Sequence, residues 1–391
     1  MSNDNFTEVT TQGWFSRIGG AIKGIFFGLI LFIVAFPVLI WNEGRAVDRI
    51  KTLEEGSGAV VHIESDAINS VNNQKLVHLT GEAITDEVLE DSAFNVKANA
   101  IKLKREVQTY QWKETVKTNT EKQLGGSEKT TKEYSYSKVW SKRLINSNNF
   151  KKPEYQNPSS APFKSLTLIA KEITFGAFDF PASLAQQMSN YQRLELDSIN
   201  SSKNRRNGSI LSYGGGYYAG DDPTNPNIGD QQIHFEFVKP STISIVAQQT
   251  NNTFQSYSTT GGGQILLLAY GVVSQQNMFQ TALESNAVFT WLLRILSLIM
   301  MTIGIGMILK PLSVLADVLP FLGNVVEAGT GLIAFLIALV LTVITIAIAW
   351  LVFRPVIGGV LILIAGFVIW MIKNKVKTNA IKPSVDSAST S

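Results

Sequence analysis

Four long apolar stretches, separated by polar sequence, dominate the pattern along the chain. They cover residues 24–41, 287–309, 331–353 and 356–372. An α-helix needs about 20 residues to cross the hydrocarbon core of a bilayer, so each stretch predicts a transmembrane helix rather than a buried helix of a soluble protein. The first stretch is longer than the apolar region of a cleavable signal peptide, and we interpret it as an anchor. Arg354 and Pro355 alone separate the last two stretches, which predicts a tight antiparallel hairpin.

The sequence between the first and second stretches, residues 42–286, has a different pattern. Segments rich in β-branched and aromatic residues, several of alternating polarity, predict strands. These segments are residues 59–65, 76–83, 105–115, 132–145, 166–175, 233–238, 242–249 and 264–273. Residues 181–196 are the best helix candidate, and residues 201–230, crowded with Asn, Gly, Ser and Pro, predict a surface loop. The expected fold class is therefore α+β: a membrane protein of four transmembrane helices, with a large β-rich domain, sandwich or barrel-like, inserted between helices 1 and 2.

Positively charged residues flank the outermost apolar stretches. Arg17 and Lys23 precede the first stretch, and four lysines between positions 373 and 382 follow the last. Cytoplasmic segments carry an excess of Lys and Arg, so both termini are predicted to be cytoplasmic. This topology predicts a cytoplasmic tail at residues 1–23, a cytoplasmic loop at residues 310–330 and a cytoplasmic tail at residues 373–391. The β-rich domain is then extracytoplasmic.

Composition narrows the choice of partners. The 34 basic and 31 acidic residues nearly balance, with a formal net charge of +3 and no dense basic stripe, so a nucleic-acid partner is not expected. Cysteine is absent, which excludes disulfides, Cys-ligated metals and thiol nucleophiles. A charged fraction of 17% beside 45% hydrophobic residues suits a membrane protein with a large water-facing part, whose first partners are membrane lipids.

The titratable residues form no recognisable catalytic pattern. His62, His78 and His234 are far apart in the sequence, each in a predicted strand, and none belongs to a ligand-spaced pair. The glycine runs are not followed by the Lys-Ser/Thr pair of a phosphate-binding loop, and no G-x-S-x-G elbow occurs. We therefore expect no enzyme activity, no cofactor and no metal.

Arg294 is the exception, because it lies inside the second apolar stretch. A charge within the membrane is unfavourable and by default marks a functional or packing site with a partner. Glu43 directly follows the first stretch and Glu284 directly precedes the second, so both lie on the same side of the membrane as the outer end of Arg294's helix. Either carboxylate could pair with Arg294. The alternative is that the Arg294 side chain extends to the membrane interface.

The end of the first apolar stretch supplies the remaining candidate interface residues. Asn42 and Gly44 suit the end of a helix, with Gly44 in the left-handed conformation, and Arg45 can reach the outer headgroups. With Glu43, and with Arg354 after the third stretch, these residues are predicted to join the helices to the outer domain.

These residues also carry a resemblance to a known family. "NEGRA" directly after a first transmembrane helix resembles the signature of the transmembrane protein 43 family, also called LUMA. Further similarities follow in the same order along nearly the whole chain, except for residues 201–227 and both tails. They are "LVHLTG" (76–81), "KLKREVQTYQWKE" (102–114), "YSY" (134–136) with Trp140, "INSNNF" (145–150), "NPS" (157–159), "GD" (229–230), Ser285, Asn286, Thr290 and Trp291 with Arg294, and "FRP" (353–355).

The resemblance implies a four-helix membrane protein with a large lumenal domain between helices 1 and 2. Eukaryotic members are associated with the endoplasmic reticulum and inner nuclear membrane, where they self-associate and help organise envelope proteins such as emerin and lamins. No catalytic residue carries over. The short tails without a retention signal favour a bacterial member in the inner membrane, to which the nuclear partners do not apply.

Two functions are compatible with these features. The first is a non-enzymatic integral membrane scaffold that forms homo-oligomers and organises envelope membrane proteins or lipids. The alternative is a lipid-handling protein whose outer β-rich domain encloses an apolar ligand. Stoichiometric lipid in the purified protein would distinguish the second from the first.

Overall fold

The computed structural model describes residues 6–196, 203–205, 208–355, 359–360, 363 and 367. The described residues form two compact units. A β-rich unit contains those of Met1–Trp14 and Lys51–Glu284, and a helical unit contains those of Phe15–Ile50 and Ser285–Ser391. Helices α1 and α3, whose bounds follow, each contribute residues to both units. An α+β membrane protein with a β-rich domain is thus confirmed.

The elements are numbered in chain order. The helices are α1 (Trp14–Ala59), α2 (Ala182–Gln187), α3 (Gln275–Ala316) and α4 (Pro320–Phe353). The strands are β1 (Phe6–Gln12), β2 (Val61–His62), β3 (Leu76–Ile84), β4 (Val88–Asp91), β5 (Val96–Asn99), β6 (Lys102–Lys122), β7 (Glu128–Ser141), β8 (Leu166–Ile169), β9 (Thr174–Phe175), β10 (Phe178–Asp179), β11 (Gln192–Leu194), β12 (Lys203–Arg205), β13 (Gly208–Tyr213), β14 (Gly216–Ala219), β15 (Gln231–Val238), β16 (Ser241–Thr250), β17 (Thr253–Gln255), β18 (Tyr257–Ser258), β19 (Gln264–Ile265) and β20 (Leu267–Tyr270).

Two large sheets make up the described part of the β-rich unit. The first has the order β1-β7-β6-β15-β14-β13-β12, with β11 also pairing with β15 and β8 with β6. The second has the order β10-β9-β3-β16-β17, with β2 also pairing with β3 and β20 with β16. Both sheets contribute buried side chains to one core, among them Leu103 and Phe235 from the first and Leu79 and Ile245 from the second. This is sandwich-like packing, in which the inner faces of two sheets interdigitate.

A second apolar cluster fixes the ends of α1 and α3 within the β-rich unit. Leu53 of α1 and Phe279 of α3 pack with Leu76, Val246 and Ile265 of the strands. Burying these side chains stabilises helix in segments that are too polar for a membrane. The helices therefore continue well past the apolar stretches: α1 covers 14–59 rather than 24–41, and α3 covers 275–316 rather than 287–309.

Two predictions within the β-rich unit were wrong. Residues 181–196 form only the short helix α2, because Lys102 Nζ donates hydrogen bonds to the carbonyl oxygens of Gln186 (3.0 Å) and Met188 (2.8 Å) and so caps its end. Part of the predicted loop at residues 201–230 forms strands β12, β13 and β14. The turn between β13 and β14 is Gly214-Gly215, with φ of 58° and 72°, which suits a two-residue hairpin.

Three described helices are long and apolar enough to cross a membrane: α1, α3 and the Gly323–Phe353 part of α4. Residues 310–330, predicted to form a cytoplasmic loop, are mostly helical, because α3 ends at Ala316 and α4 begins at Pro320. The predicted third helix, 331–353, is the later part of α4. The predicted fourth helix, residues 356–372, lies mostly outside the described residues, as does the tail at residues 373–391.

Small residues allow the helices of the helical unit to approach closely. A Cβ atom on Gly28 of α1 would lie 2.7 Å from the carbonyl oxygen of Gly304 of α3, and the reverse substitution would be equally close at 2.8 Å. Ala334 and Ala338 of α4 are fully buried beside Met301 of α3. Helices in lipid associate chiefly through such close van der Waals contact, because lipid tails are as apolar as the helices.

The N-terminal residues differ from the predicted tail at residues 1–23. Strand β1 pairs antiparallel with β7 over its full length, and α1 already begins at Trp14. Residues 6–12 therefore belong to the β-rich unit, whereas the charges of Arg17 and Lys23 predict that the N-terminus is cytoplasmic.

The pairing of β1 with β7 can be tested by disulfide formation, because the chain has no cysteine of its own. Thr10 lies directly opposite Thr130, at a separation that a disulfide can bridge. We expect Thr10→Cys/Thr130→Cys to cross-link in native membranes, as measured by protection from a thiol-reactive mass tag.

The matched control is Thr10→Cys/Glu133→Cys, because Glu133 is three residues out of register with Thr10, or about 10 Å away. Equal cross-linking of both variants, or of neither, would contradict the observed register. A cross-link specific to the first variant would place residue 10 on the same side of the membrane as the β-rich unit.

Candidate functional site

The helical unit contains a buried ion pair between α1 and α3. Arg294 Nε lies 2.6 Å from Glu43 Oε1, and Arg294 NH2 lies 2.8 Å from Glu43 Oε2. The Glu43 side chain is 2% exposed and that of Arg294 is 14% exposed. The structure thus brings together two residues that the sequence proposed as partners. Two parallel hydrogen bonds between a guanidinium and a carboxylate are the strongest common form of such a pair.

Helix α4 adds a third partner to this pair. Trp350 Nε1 donates a hydrogen bond of 2.8 Å to Glu43 Oε2, so the carboxylate is bound from α3 and from α4. The Trp350 ring also lies near two cations, with the guanidinium carbon of Arg294 6.0 Å and that of Arg354 5.8 Å from its centroid. Arg354 therefore belongs to the same cluster, through Trp350 rather than through a carboxylate.

Arg45 makes a second set of contacts with α3. Its guanidinium donates to Asn286 Oδ1 (2.9 Å), Thr290 Oγ1 (3.0 Å) and Asn42 Oδ1 (3.2 Å). The same group lies 4.7 Å from the centroid of the Phe289 ring. Arg45 was expected to reach the outer headgroups, but these contacts hold it against α3.

Two amide side chains connect the backbones of α1 and α3. Asn42 Nδ2 donates to the Thr290 carbonyl (3.0 Å), and Asn286 Nδ2 donates to the Ala46 carbonyl (3.1 Å). Both amides are buried. A buried amide without a partner is unfavourable by several kcal/mol, at about 2–7. The reciprocal bonds thus fix the register of one helix against the other.

Gly44 has a different role from the predicted one. Helix α1 continues through it to Ala59, so Gly44 neither ends the helix nor adopts the left-handed conformation. Instead it contacts the ring of Phe353 on α4, because an added Cβ would lie 2.9 Å from the ring carbon Cζ. Glycine is required here for close packing rather than for backbone conformation.

Glu284 does not join this cluster. Its side chain is exposed and accepts a hydrogen bond of 2.9 Å from Gln280, one turn earlier on α3. Of the two carboxylates considered for Arg294, the structure selects Glu43.

The sequence reasoning missed the roles of Asn286 and Thr290. Asn286 stands eight positions and Thr290 four positions before Arg294, a spacing that places all three on one face of a helix. The spacing is visible in the sequence and indicates that Asn286 and Thr290 share a helix face with Arg294.

A second buried ion pair was not predicted at all. Arg17 of α1 is paired with Asp317, which follows α3, and both side chains are buried. Gly323 of α4 lies so close to Asp317 that any side chain there would collide with the carboxylate. The sequence gives little indication of this pair, because Arg17 fits the positive charge that precedes a first transmembrane helix and Asp317 lies in a predicted loop.

The histidines also differ from expectation. The sequence places His62 and His78 far apart, but β2 and β3 pair in parallel and bring their Nδ1 atoms to 3.0 Å. The pair lies in the β-rich unit and has no part in the cluster of the helical unit.

The cluster of the helical unit is suited to holding helices together. Glu43 accepts hydrogen bonds from the side chains of Arg294 and Trp350, and Arg294 donates two of them. Removing one member of a buried pair leaves the other charged and unpaired, which destabilises by about 3–5 kcal/mol.

The Glu43–Arg294 pair predicts non-additive mutational effects. Arg294→Ala and Glu43→Gln should each lower the thermal unfolding temperature of the purified protein, because each leaves an unpaired buried group. The double variant should lose much less than the sum of the two, because its two changes remove the same interaction. Unfolding followed by tryptophan fluorescence in detergent or nanodiscs measures all three.

The matched control is Glu284→Gln, the other carboxylate considered for Arg294, which should leave the unfolding temperature unchanged because the side chain is exposed. Additive losses in the double variant would mean that Arg294 and Glu43 act independently.

The Gly44–Phe353 contact predicts a second stability effect. Gly44→Ala should destabilise by about 1–3 kcal/mol, because the new methyl group must displace the Phe353 ring. Phe353→Leu should restore part of that loss in the double variant. Gly19→Ala on the same helix is the control, because an added Cβ there meets nothing within 4 Å. Equal effects at positions 19 and 44 would rule out the packing explanation.

Comparison of the sequence with known proteins identifies the family of the chain. The sequence model described as transmembrane protein 43 matches residues 109–355. The chain is 31% identical to transmembrane protein 43 of Mus musculus over 371 residues, covering 90% of this chain and 91% of that protein. It is 30% identical to the Rattus norvegicus protein over 97% of this chain and 98% of the relative, and 30% identical to the Drosophila melanogaster homologue over 90% and 94%. No solved structure gives a significant match. The chain therefore belongs to the transmembrane protein 43 family.

Proposed function

We propose that the protein is a non-enzymatic integral membrane scaffold, which self-associates and organises neighbouring membrane proteins and lipids. The observation that carries this proposal is that charged side chains of the helical unit bind side chains on or directly after neighbouring helices. Glu43 and Arg294 bind one another and Trp350, and Arg17 binds Asp317. Charges committed to helix–helix contacts support a structural role, because a catalytic acid, base or ion pathway needs groups that can exchange protons or ligands.

The outer surface of α4 offers an apolar face for association. Leu332, Leu336, Val340 and Ile344 recur at every fourth position and are exposed, so they lie on one face of the helix. The opposite face carries the buried Ala334 and Ala338 that pack inside the helical unit. An apolar face of this kind can contact lipid or another transmembrane helix.

The proposal is tested by the assembly state of the full chain in membranes. Two copies with different epitope tags are co-expressed, solubilised and purified through one tag. We expect the second tag to co-purify, and native mass spectrometry from lipid nanodiscs to give a mass above that of one chain. Copies that are expressed separately and mixed after solubilisation are the control for aggregation in detergent.

A monomeric mass together with loss of the second tag would overturn the scaffold proposal. Arg294→Ala gives a sharper comparison, because it weakens the helical unit without touching the exposed α4 face. If self-association depends on the intact helical unit, this variant should assemble less, whereas the exposed-site control Glu284→Gln should assemble normally.

A lipid-handling role receives less support from the β-rich unit. A cavity of about 450 Å³ there is lined mainly by polar and charged side chains, including Asp86, Glu87, Lys171 and Glu172. Such a lining suits water rather than an acyl chain, because apolar ligands bind in cavities with predominantly hydrophobic walls. Mass spectrometry of lipid that co-purifies with the chain separates the two functions, since a scaffold should carry no lipid at fixed stoichiometry.

The proposal includes a fourth crossing by residues 356–372, with the C-terminus in the cytoplasm. Its support is the apolarity of that stretch and the lysines that follow it. Labelling of a single cysteine at Ser387 with a membrane-impermeant reagent, before and after permeabilisation, tests this topology. Labelling of the intact membrane from the extracytoplasmic side would contradict it.

A further inference from the structure

Two histidines of the β-rich unit form a close pair. His62 on β2 lies beside His78 on β3 in a parallel bridge, and their Nδ1 atoms are 3.0 Å apart. The backbone reinforces the pairing, because the Ile63 amide donates to the His78 carbonyl at 2.9 Å. His78 is buried, whereas the side chain of His62 is 57% exposed.

The hydrogen bonds determine which nitrogens carry protons. His78 Nε2 lies 2.9 Å from the Val273 carbonyl oxygen, which can only accept, so this nitrogen is the donor. In a neutral His78 the Nδ1 atom is then an acceptor. His62 must then supply the proton of the contact between the two Nδ1 atoms.

One carboxylate lies close to the pair. Glu64 lies 3.8 Å from His62 Nε2, and both of those side chains are mostly exposed. Across the sheet, the residue of β16 that faces His78 is the apolar Val246, and the segment before α3 contributes the Val273 carbonyl. His62 is therefore the titratable group that acts on His78, and Glu64 is the one that faces His62.

The pair lies where the chain leaves α1 and where it enters α3. His62 follows the end of α1 by three residues, and Val273 precedes the start of α3 by two. The amide of Val273 is itself bound to Ser244 Oγ of β16 at 2.9 Å. His78 thus connects the segment that leaves α1 with the segment that enters α3, through one side chain on β3.

We propose that the His62–His78 pair is an acid-sensitive latch between these two segments. A proton that binds His78 Nδ1 converts this atom from an acceptor to a donor, so two N–H groups then face each other across the contact. The contact opens, and β2 separates from β3.

The direction of the pH effect follows from the state of His78. Burial, and to a smaller extent the charge of His62, lower the pKa of His78 below its usual 6.5, although the Val273 carbonyl opposes this. The closed form therefore favours the neutral ring. Its stabilising effect is complete above about pH 6.5 and is lost as the pH falls toward the lowered pKa of the closed form.

Hydrogen exchange of the full chain in lipid nanodiscs tests the latch. After correction for the intrinsic rate, the amide of Ile63 should exchange at least about tenfold faster at pH 5 than at pH 7.5, because it is bound to the His78 carbonyl only while β2 and β3 are paired. His78→Gln, which cannot be charged, should remove this pH dependence. His62→Gln, at an exposed site, keeps the fold and should speed exchange already at pH 7.5, because the Nδ1 contact is gone.

His234→Gln is the matched control. Burial also lowers the pKa of His234, but it lies on β15 beside Arg193 and away from both segments, so this variant should keep the wild-type profile. Exchange independent of pH in the wild type, a wild-type pH dependence in His78→Gln, or unchanged protection of His62→Gln at pH 7.5 would each overturn the proposal. Loss of protection on chelation at pH 7.5 would also overturn it, because a metal would then hold the pair.

Discussion

A guanidinium group among apolar helices is the constraint on which the helical unit depends. Transferring a charge out of water is very unfavourable, and neutralisation without good geometry recovers only part of that free energy. Glu43 binds Arg294 through two of its nitrogens, and Trp350 donates a third hydrogen bond to the carboxylate. All three hydrogen bonds can form only when α1, α3 and α4 meet at one level. A single charged side chain therefore determines how three apolar helices are aligned.

The neighbouring contacts between α1 and α3 follow from the same alignment. Asn286 and Thr290 lie on the same side of α3 as Arg294, so they face Arg45 and Asn42 of α1 once Arg294 is bound to Glu43. Gly44 turns toward α4 and leaves room for the ring of Phe353. Each position of the motif Asn42–Ala46 has its own contact, and apolar packing alone would not distinguish these positions. The motif thus sets the rotation of α1 as well as its depth.

The sequence predicts the strongest parts of this fold and misses those that depend on distant partners. Hydropathy locates α1, α3 and α4 because it measures contact with hydrocarbon, but it underestimates their lengths. The polar ends of α1 and α3 are helical through packing against strands, as Leu53 and Phe279 show, and no local pattern reveals that packing. Residues 214–216 predict a turn, but strands β13 and β14 on either side of it were missed, because the Asn, Gly, Ser and Pro content of residues 201–230 is typical of a loop. Arg294 and Glu43 could be matched because both stood out against apolar sequence, whereas Asp317 did not.

The Arg17–Asp317 and Glu43–Arg294 pairs lie far apart along the same helix. Arg17 and Glu43 are 26 positions apart on α1, a rise of about 39 Å along the helix axis. That length exceeds the hydrocarbon core of a bilayer, about 30 Å, and approaches the 40–45 Å that includes the headgroups. In an upright helix both pairs would thus lie near the headgroup layers. A thinner bilayer would force one pair into water or tilt the helix, so the spacing of the pairs matches the protein to membranes of a particular thickness.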